Sequence, residues 1–454
     1  MAQSEALHKE MLEGNLKKVI VKQSLPNTVG LLVIAAYSLA DSFFVSTLGT
    51  DAGAAIGVVF PLHVLIQAVG YTLGMGAGSI LSRALGKQDV AHASSLAFSA
   101  MTYSLLFGIL IAALGLWQKE ALLTLLGTPQ EIRDSAMHYL IPLLYSAPAM
   151  CGVFVVSQLL RAEGMAVYSM AGLATGSVCN ILLDPILISR LGFGIAGASL
   201  ATLFSQIVSL LVLLSAYLFS KSRLRPFSGV RIGALFLLGH IFVAGLPSLF
   251  RQGLSGLATV LINHAAAYHG EHAVLSLSLV ARIFLLVFSV CLGIGQGMMP
   301  VVGYCNGAKK GARAAQAYRF AILLSSALML AVSLPLFLFS PQIITVFRND
   351  PDVIRTGAFA LRAQSAVLVL HGLVTCTILY LQAVGRSFLG TLLAAARQGI
   401  FFLPLIFLLP TRFGLSGLCL TQPVADVLTF LLALLLWRAA KRTSPPHRAD
   451  TPPA

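Results

Sequence analysis

The sequence predicts an all-α polytopic membrane protein: twelve transmembrane helices in two six-helix lobes, related by a pseudo-two-fold along the membrane normal, V-shaped with a central cleft. Three observations predict it. The 454-residue chain is 57% hydrophobic and 10% charged, with a mean hydropathy of +0.88, whereas a soluble globular chain is about 45–50% apolar and about 25% charged. Its apolar residues come in runs of about 20 or more, the length a helix needs to cross a hydrocarbon core of roughly 30 Å. The second half of the chain also repeats the first at an offset of 221 residues.

The segment 1–19 opens MAQSEALHKEMLEGNLKK; it is polar, lacks the apolar stretch of an export signal, and reads as a cytoplasmic amphipathic helix on the membrane surface. Apolar runs separated by Gly, Pro or charge then give spans near 20–46, 52–81, 91–117, 136–160, 166–189 and 194–220, an N-terminal lobe over 20–220. A cytoplasmic linker, 221–233, leads to a C-terminal lobe over 234–440, with spans near 234–265, 272–304, 314–339, 358–383, 387–410 and 415–438. Residues 441–454 are polar and Pro-rich and are expected to be a disordered cytoplasmic tail.

A net charge of +14 looks like a nucleic-acid signal until the charges are placed. An even number of spans puts both termini on one side. With that side cytoplasmic, twenty of the 30 Lys and Arg fall in cytoplasmic segments and six in outer loops. This is the positive-inside bias of a multi-pass protein of the cell (cytoplasmic or inner) membrane. The expected partner is the lipid bilayer, with no nucleic acid.

The repeat is carried by glycines. A shift of 221 lays TLGMGAGSILSRALGKQDVAHA (72–93) over GIGQGMMPVVGYCNGAKKGARA (293–314), pairing Gly74 with Gly295, Gly76 with Gly297 and Gly86 with Gly307. Near the same offset TPQEIRDSA (128–136) meets DPDVIRTGA (350–358), and FGIAGASL (193–200) meets FGLSGLCL (413–420). Six helices per unit give the two lobes the same orientation. Facing lobes leave a cleft that rocking can open to either side, which argues for a transporter; a passive channel has no need of two separable lobes.

Of the 16 acids, only Asp41, Asp184 and Asp426 fall inside spans. A carboxylate near the bilayer centre costs several kcal/mol, so each is a functional candidate. At about 1.5 Å per residue, Asp41 lies roughly 12 Å beyond the middle of span 1, toward the outer side. Asn180 and Asp184 lie roughly 4–10 Å beyond the middle of span 5 by the same rise, and Thr202 of span 6 also falls in the outer half. Asn180 and Asp184, at i and i+4, share one helix face. Two carboxylates, an amide oxygen and a hydroxyl at one level suit a proton or Na⁺, and Pro185 frees a backbone carbonyl one turn earlier. The alternative is that Asn180 and Asp184 only bond each other or the backbone, as glue between helices.

Asp426, near the middle of span 12, has Arg251, Arg282 and Arg397 as candidate partners; a structural ion pair and a substrate contact are both open. Arg251 with Gln252, and Arg397 with Gln398, are candidate cleft-lining pairs, and Met298 and Met299 candidate walls of an adaptable pocket. His264, His269 and His371 read as satisfied or interfacial side chains. Pro26 and Pro61 interrupt the helical ladder as bend points or fixed kinks. GMGAG (74–78) and GIGQG (293–297) lie inside apolar spans with no strand before them, so they read as close helix packing rather than phosphate loops. Six cysteines are scattered singly and read as packing residues, with no disulfide framework. No loop carries a catalytic cluster, so an enzyme is not expected.

Together these motifs resemble the multidrug and toxic compound extrusion (MATE) family, in its MepA/DinF-like bacterial branch. The resemblance spans roughly residues 16–440 and rests on LPNTVGLLVIAAYSLADSFFVSTLG (25–49), GAGSILSRALGKQD (76–89), LLRAEG (159–164), NILLDPILI (180–188), GFGIAGASLAT (192–202), MMPVVGYCNGA (298–308) and RQGIFFLPL (397–405). It implies that Asp41, Asn180, Asp184 and Thr202, with the Ala198 backbone, form the cation-coupling site of the N-terminal lobe, for H⁺ or Na⁺. It also implies that helix 1 bends at Pro26 when that site fills. Another branch carries a second site with carboxylates on helices 7 and 10; here span 7 offers Arg251 and Gln252, and span 10 no acid. The implied activity is antiport: a monomer, without cofactors, exports amphipathic cationic drugs in exchange for the coupling ion. A flippase of lipid-linked or other anionic substrates, and a multi-span membrane enzyme, are the rival readings.

Overall fold

The computed structural model describes residues 2–46, 50–219, 222, 224 and 237–443, with side chains over 6–37, 51–219, 222, 224 and 237–436. The Asp41 side chain, the linker 221–233 apart from Ser222 and Leu224, and the tail beyond Thr443 lie outside the described residues. The N-terminal half consists of α1 (Ala2–Glu13), α2 (Leu16–Ser46), α3 (Thr50–Gly86), α4 (Val90–Trp117), α5 (Lys119–Leu125), α6 (Arg133–Ala162), α7 (Ala166–Pro185) and α8 (Gly194–Leu218). The C-terminal half follows as α9 (Leu238–Ala267), α10 (Glu271–Gly307), α11 (Gly311–Leu338), α12 (Ser340–Phe347), α13 (Pro351–Val367), α14 (Leu370–Ala383), α15 (Ser387–Ala395) and α16 (Phe402–Thr443).

Among the described residues nine helical stretches are long and apolar enough to cross a membrane, or ten when α13 and α14, bent by 56° at their junction, count as one. Two features reconcile this with twelve spans. The stretch Ser387–Leu436 has 50 residues, roughly 75 Å of helix at 1.5 Å per residue, far more than one bilayer crossing. Gly414 (φ 56, ψ −137) breaks it in the left-handed region that a glycine tolerates. The 30-residue α9 is long enough to span, but Arg251, Gln252, Asn263 and His264 dilute its apolar character. Twelve crossings are compatible with this architecture.

The halves meet along α3 with α9 and α2 with α10, and the meeting is pseudo-symmetric. A Cβ on Gly76 would overlap the backbone of Ile241 and Gly245 on α9. Its repeat mate Gly297 lies equally hard against Ser24 on α2, and Ser24 is itself the mate of Gly245 at the 221-residue offset. Gly86 meets Tyr304 while its mate Gly307 meets Arg83, and Arg83 and Tyr304 are again mates. Both cap a helix end across the interface. Arg83 Nη1 donates to the Gln382 and Ala383 carbonyls at the end of α14, at 3.2 and 2.8 Å. The Tyr304 hydroxyl donates to the Glu163 carbonyl at the end of α6, at 3.3 Å. In lipid, where apolar burial gives helices no drive to associate, such close backbone approach and interhelical hydrogen bonding are what hold them together.

Contact loosens along the antiparallel α3–α9 pair. Gly76 and Gly245 are pressed against backbone, Gly256 is in ordinary contact with Val64 at 3.6 Å, and further along Gly57 and Gly53 have nothing within 4 Å. The tight backbone contacts between the halves therefore gather at the end that carries the turns at Lys87, Lys309 and Arg386.

α1 lies across that seal, and its apolar side faces protein rather than the membrane surface that its amphipathic sequence suggests. Met11 is fully buried. From α11, Arg313 donates to the Met11 carbonyl at 3.3 Å and the Gly14 carbonyl at 2.6 Å. From α2, Lys22 pairs with Glu10 at 2.7 Å. The helix thus touches both halves.

Candidate functional site

Four of the residues that the sequence assigns to a cation site come together inside the N-terminal half. Asp184 is 0% exposed, Asn180 and Ala198 1%, and Thr202 3%. One face of α7 carries Asn180 and Asp184 against α8, and the helices approach closely because Gly176 leaves room for Ser209. With its nitrogen turned to the carboxylate, the Asn180 amide donates to Asp184 Oδ2 at 3.1 Å, and its oxygen accepts from the Thr202 N–H at 3.2 Å. The Thr202 hydroxyl donates to the Ala198 carbonyl at 3.2 Å. Pro185 closes α7, after which the chain widens into a π turn, Ile186–Arg190. Asp41 belongs to α2 by its backbone. Pro26 is buried within α2, which continues through it as one helix. Beside it Asn27 is 1% exposed, and neither its amide nitrogen nor its oxygen finds a partner.

A second polar cluster fills the interior of the C-terminal half. Of the three arginines open to Asp426, the structure pairs it with Arg397, whose Nε donates to Oδ1 at 2.8 Å. Gln422 Nε2 donates to the same oxygen at 2.8 Å. Oδ2 receives His371 Nε2 at 3.1 Å and Gln364 Nε2 at 3.2 Å. Asp426 is 3% and His371 2% exposed. Phe284 and Phe288 of α10 lie beside both side chains: the Arg397 guanidinium carbon is 5.7 and 5.2 Å from their centroids, and the His371 ring 5.2 and 5.9 Å. Arg397 itself sits in a π turn, Ala396–Ile400, that follows α15.

The remaining cleft candidates are spread out. Arg251 and Gln252 are half-buried on α9, and Arg251 Nη2 has no hydrogen-bond partner. Met298 is fully buried at the seal; Met299 lines a small cavity there with Gln158, Arg161 and Gln296. Arg161 donates across the halves to Gln296 and, from Nε, to the Ser169 hydroxyl at 2.9 Å. No cluster of three or more potential metal-ligating side chains occurs among the described residues.

A MatE family model matches residues 26–186 and 247–408. The chain belongs to the MatE family. The two matched segments begin at Pro26 and Pro247, 221 residues apart, so the family unit is present twice. Over 432 residues the chain is 26% identical to the multidrug export protein MepA of Staphylococcus saprophyticus, covering 93% of this chain and 94% of that one. Among solved structures it is similar to an outward-facing conformation of a multidrug resistance MATE family transporter of the MOP superfamily. That likeness has 29% identity and a TM-score of 0.87, over 95% of this chain and 97% of the other. It is equally similar to a MOP superfamily transporter from Pyrococcus furiosus, described by the reverse polarity of its binding pocket. Here identity is 28% and the TM-score 0.87, over 95% and 97% of the two chains.

Sequence reasoning passed over several polar residues of this MatE protein. His371 reads as merely satisfied, and Gln364 and Gln422 are not singled out. One signal was present: Gln422 and Asp426 stand at i and i+4, the spacing that marks Asn180 and Asp184. Arg83 and Arg161 count only toward charge asymmetry in the sequence, yet both bond across the halves.

Proposed function

We propose that this MatE protein is a secondary active antiporter of the bacterial cytoplasmic membrane, with both termini inside. It exports amphipathic cationic compounds in exchange for H⁺ or Na⁺ by alternating access. One observation carries the reading: the tight backbone contacts between the halves gather at the basic end. Such a seal can be broken and remade at the opposite end as two rigid halves rock. The likeness to MepA, a multidrug export protein, supports the substrate class.

Exchange requires that ion binding favour one closure over the other. The buried Asp184, with Asp41 on α2, is the natural lever, and α2 would bend near Pro26 as the site fills and reduce the volume left for substrate. The oxygens of Asp184, Asn180, Thr202 and Ala198 could serve a proton or Na⁺ alike. The protein needs no cofactor and works as a monomer.

The test is dye export from proteoliposomes under ΔpH alone or ΔNa⁺ alone, in wild type, Asp41→Asn and Asp184→Asn. Undiminished gradient-driven export in both variants sinks the proposal. A second reading, export of an anionic substrate, draws on the buried Arg251 Nη2, which has no partner. It predicts that an anionic dye outcompetes a cationic one and that Arg251→Gln reverses the order.

A further inference from the structure

Asp426 is the only acid that the sequence places within a span of the C-terminal half, and the structure surrounds it with donors. A carboxylate has two oxygens and about four acceptor positions. Here Arg397 and Gln422 occupy Oδ1, and His371 and Gln364 occupy Oδ2. Nothing else on the carboxylate is left for a proton to take without displacing a donor, and Arg397 beside it supplies the counter-charge of a carboxylate. An ionised carboxylate only accepts, so the His371 Nε2 atom carries hydrogen and faces it. The vacant basic position of the whole cluster is therefore Nδ1 of His371.

We propose that His371 is a proton-binding site of the C-terminal half, with Nδ1 as the atom that gains the proton from water. The charges that face it are few. From α16 comes Asp426, and from the π turn after α15 comes Arg397. α9 carries the half-buried Arg251. α10 supplies the Phe284 and Phe288 rings and the Cys291 thiol, which donates to the His371 carbonyl at 3.5 Å. α13 contributes the neutral Gln364. With His371 neutral, Asp426 and Arg397 cancel; with His371 protonated the cluster holds one net positive charge. The Phe284 and Phe288 faces lie under the Arg397 guanidinium, which offsets part of the cost of that charge in a dry interior. A narrow crevice lined by Leu370, His371, Val374, Arg397, Asp426 and Thr429 borders the cluster. His371 is also the second residue of α14, just past the 56° bend from α13, so the proton arrives at the bend of a broken span. The site is separate from Asp184 and does not depend on the direction or substrate of transport.

Nitrogen-15 NMR of the full-length protein in lipid nanodiscs tests this directly. Only two His–Gly pairs occur in the chain, at 269–270 and 371–372. Labelling histidine with carbonyl carbon-13 and ring nitrogen-15, and glycine with nitrogen-15, in a variant with the exposed His269→Gln, therefore isolates His371. The expected result is an Nε2–H tautomer at high pH whose Nδ1 becomes protonated between about pH 5 and 8, the range of a histidine switch. Asp426→Asn should lower the midpoint by a unit or more, and Arg397→Gln should raise it. A His371 ring that stays in one protonation state from pH 5 to 9 in the native sequence overturns the proposal, whatever the variants do. So does titration whose midpoint neither variant moves.

Discussion

Replacing Arg83 by Ala should loosen the seal between the halves by about 2 kcal/mol. The guanidinium reaches from α3 to two carbonyls at the end of α14, at 3.2 and 2.8 Å. A hydrogen bond to a charged group contributes about 1.5–3 kcal/mol, and a cation at a helix C-terminus a further 0.3–1 kcal/mol or so. Arg83 is only half-buried, so water recovers part of what the two bonds provide, which leaves about 2 kcal/mol. Both bonds cross the halves and exist only while this end is closed, so their loss falls entirely on the closed state. At about 1.4 kcal/mol per factor of ten, the ratio of closed to open molecules should drop roughly 30-fold. Spin labels at Lys87→Cys and Arg386→Cys, both exposed at this end, would read the two populations as distances by pulsed electron resonance. Cys179 would be replaced, and the other five cysteines are buried. Arg83→Lys should recover about half the effect, since it restores charge without the planar fork. A population ratio within about twofold of wild type, roughly 0.4 kcal/mol, would refute the reasoning.

Gly76→Val should prevent closure altogether, because its Cβ meets the Ile241 and Gly245 backbone, which cannot swing aside; the short-distance population of the same label pair should vanish while the protein still folds. Asp426→Ala leaves Arg397 and His371 buried without their carboxylate, and should destabilise the fold by about 3–5 kcal/mol, seen as a lower melting temperature in detergent; Asp426→Leu with Arg397→Met should recover most of that loss. Deleting residues 2–13 removes the Met11 and Glu10 contacts that tie α1 to both halves, so amide exchange near Lys22 and Arg313 should speed up. At the loop before α13, the backbone N–H groups of Val353 and Asp352 hold the Asp350 carboxyl below the usual carboxylate range. The cap's contribution is complete above the ordinary carboxylate pKa and fades as pH falls through the lowered value; protection of the first turn of α13 should be lost along that acid limb and, in Asp350→Ala, be missing at every pH.

Much of the architecture was legible because the bilayer imposes rules that a sequence cannot hide. Span length fixes apolar runs, and close helix packing favours glycine, so the repeat glycines Gly76, Gly86, Gly297 and Gly307 were visible in the sequence, though only the structure shows that they meet across the halves. The span count blurred where function intrudes: α9 carries Arg251 and Gln252, and span 10 is broken beside His371. Choosing Arg397 over Arg251 and Arg282 as the partner of Asp426 depends on how α15, its π turn and α16 cross, which spacing along one chain does not encode. The docking of α1 was hidden for a related reason. An amphipathic helix pairs as readily with lipid as with protein, and only the Arg313 and Lys22 contacts decide between them.

The duplication separates what each half must share from what it need not. At the seal the mates still correspond: Gly76 with Gly297, Ser24 with Gly245, and Arg83 with Tyr304, each pair packed or capped alike across the two-fold. The polar clusters have not kept step. Aligning Pro185 with Pro404 sets Asp184 against Leu403, and the 220-residue offset near span 6 sets Gln206 against Asp426 and Thr202 against Gln422. Each half has its own buried carboxylate where the other half has none. Rocking needs an interface that both halves can close with one geometry, so substitutions there are held in pairs. Ion coupling makes the opposite demand, since two identical sites would bias both halves alike and favour no closure over the other. Under the proposed function, the bonded Asp184 of the N-terminal half and the saturated Asp426 with His371 in the C-terminal half are therefore two chemically different sites rather than two copies of one.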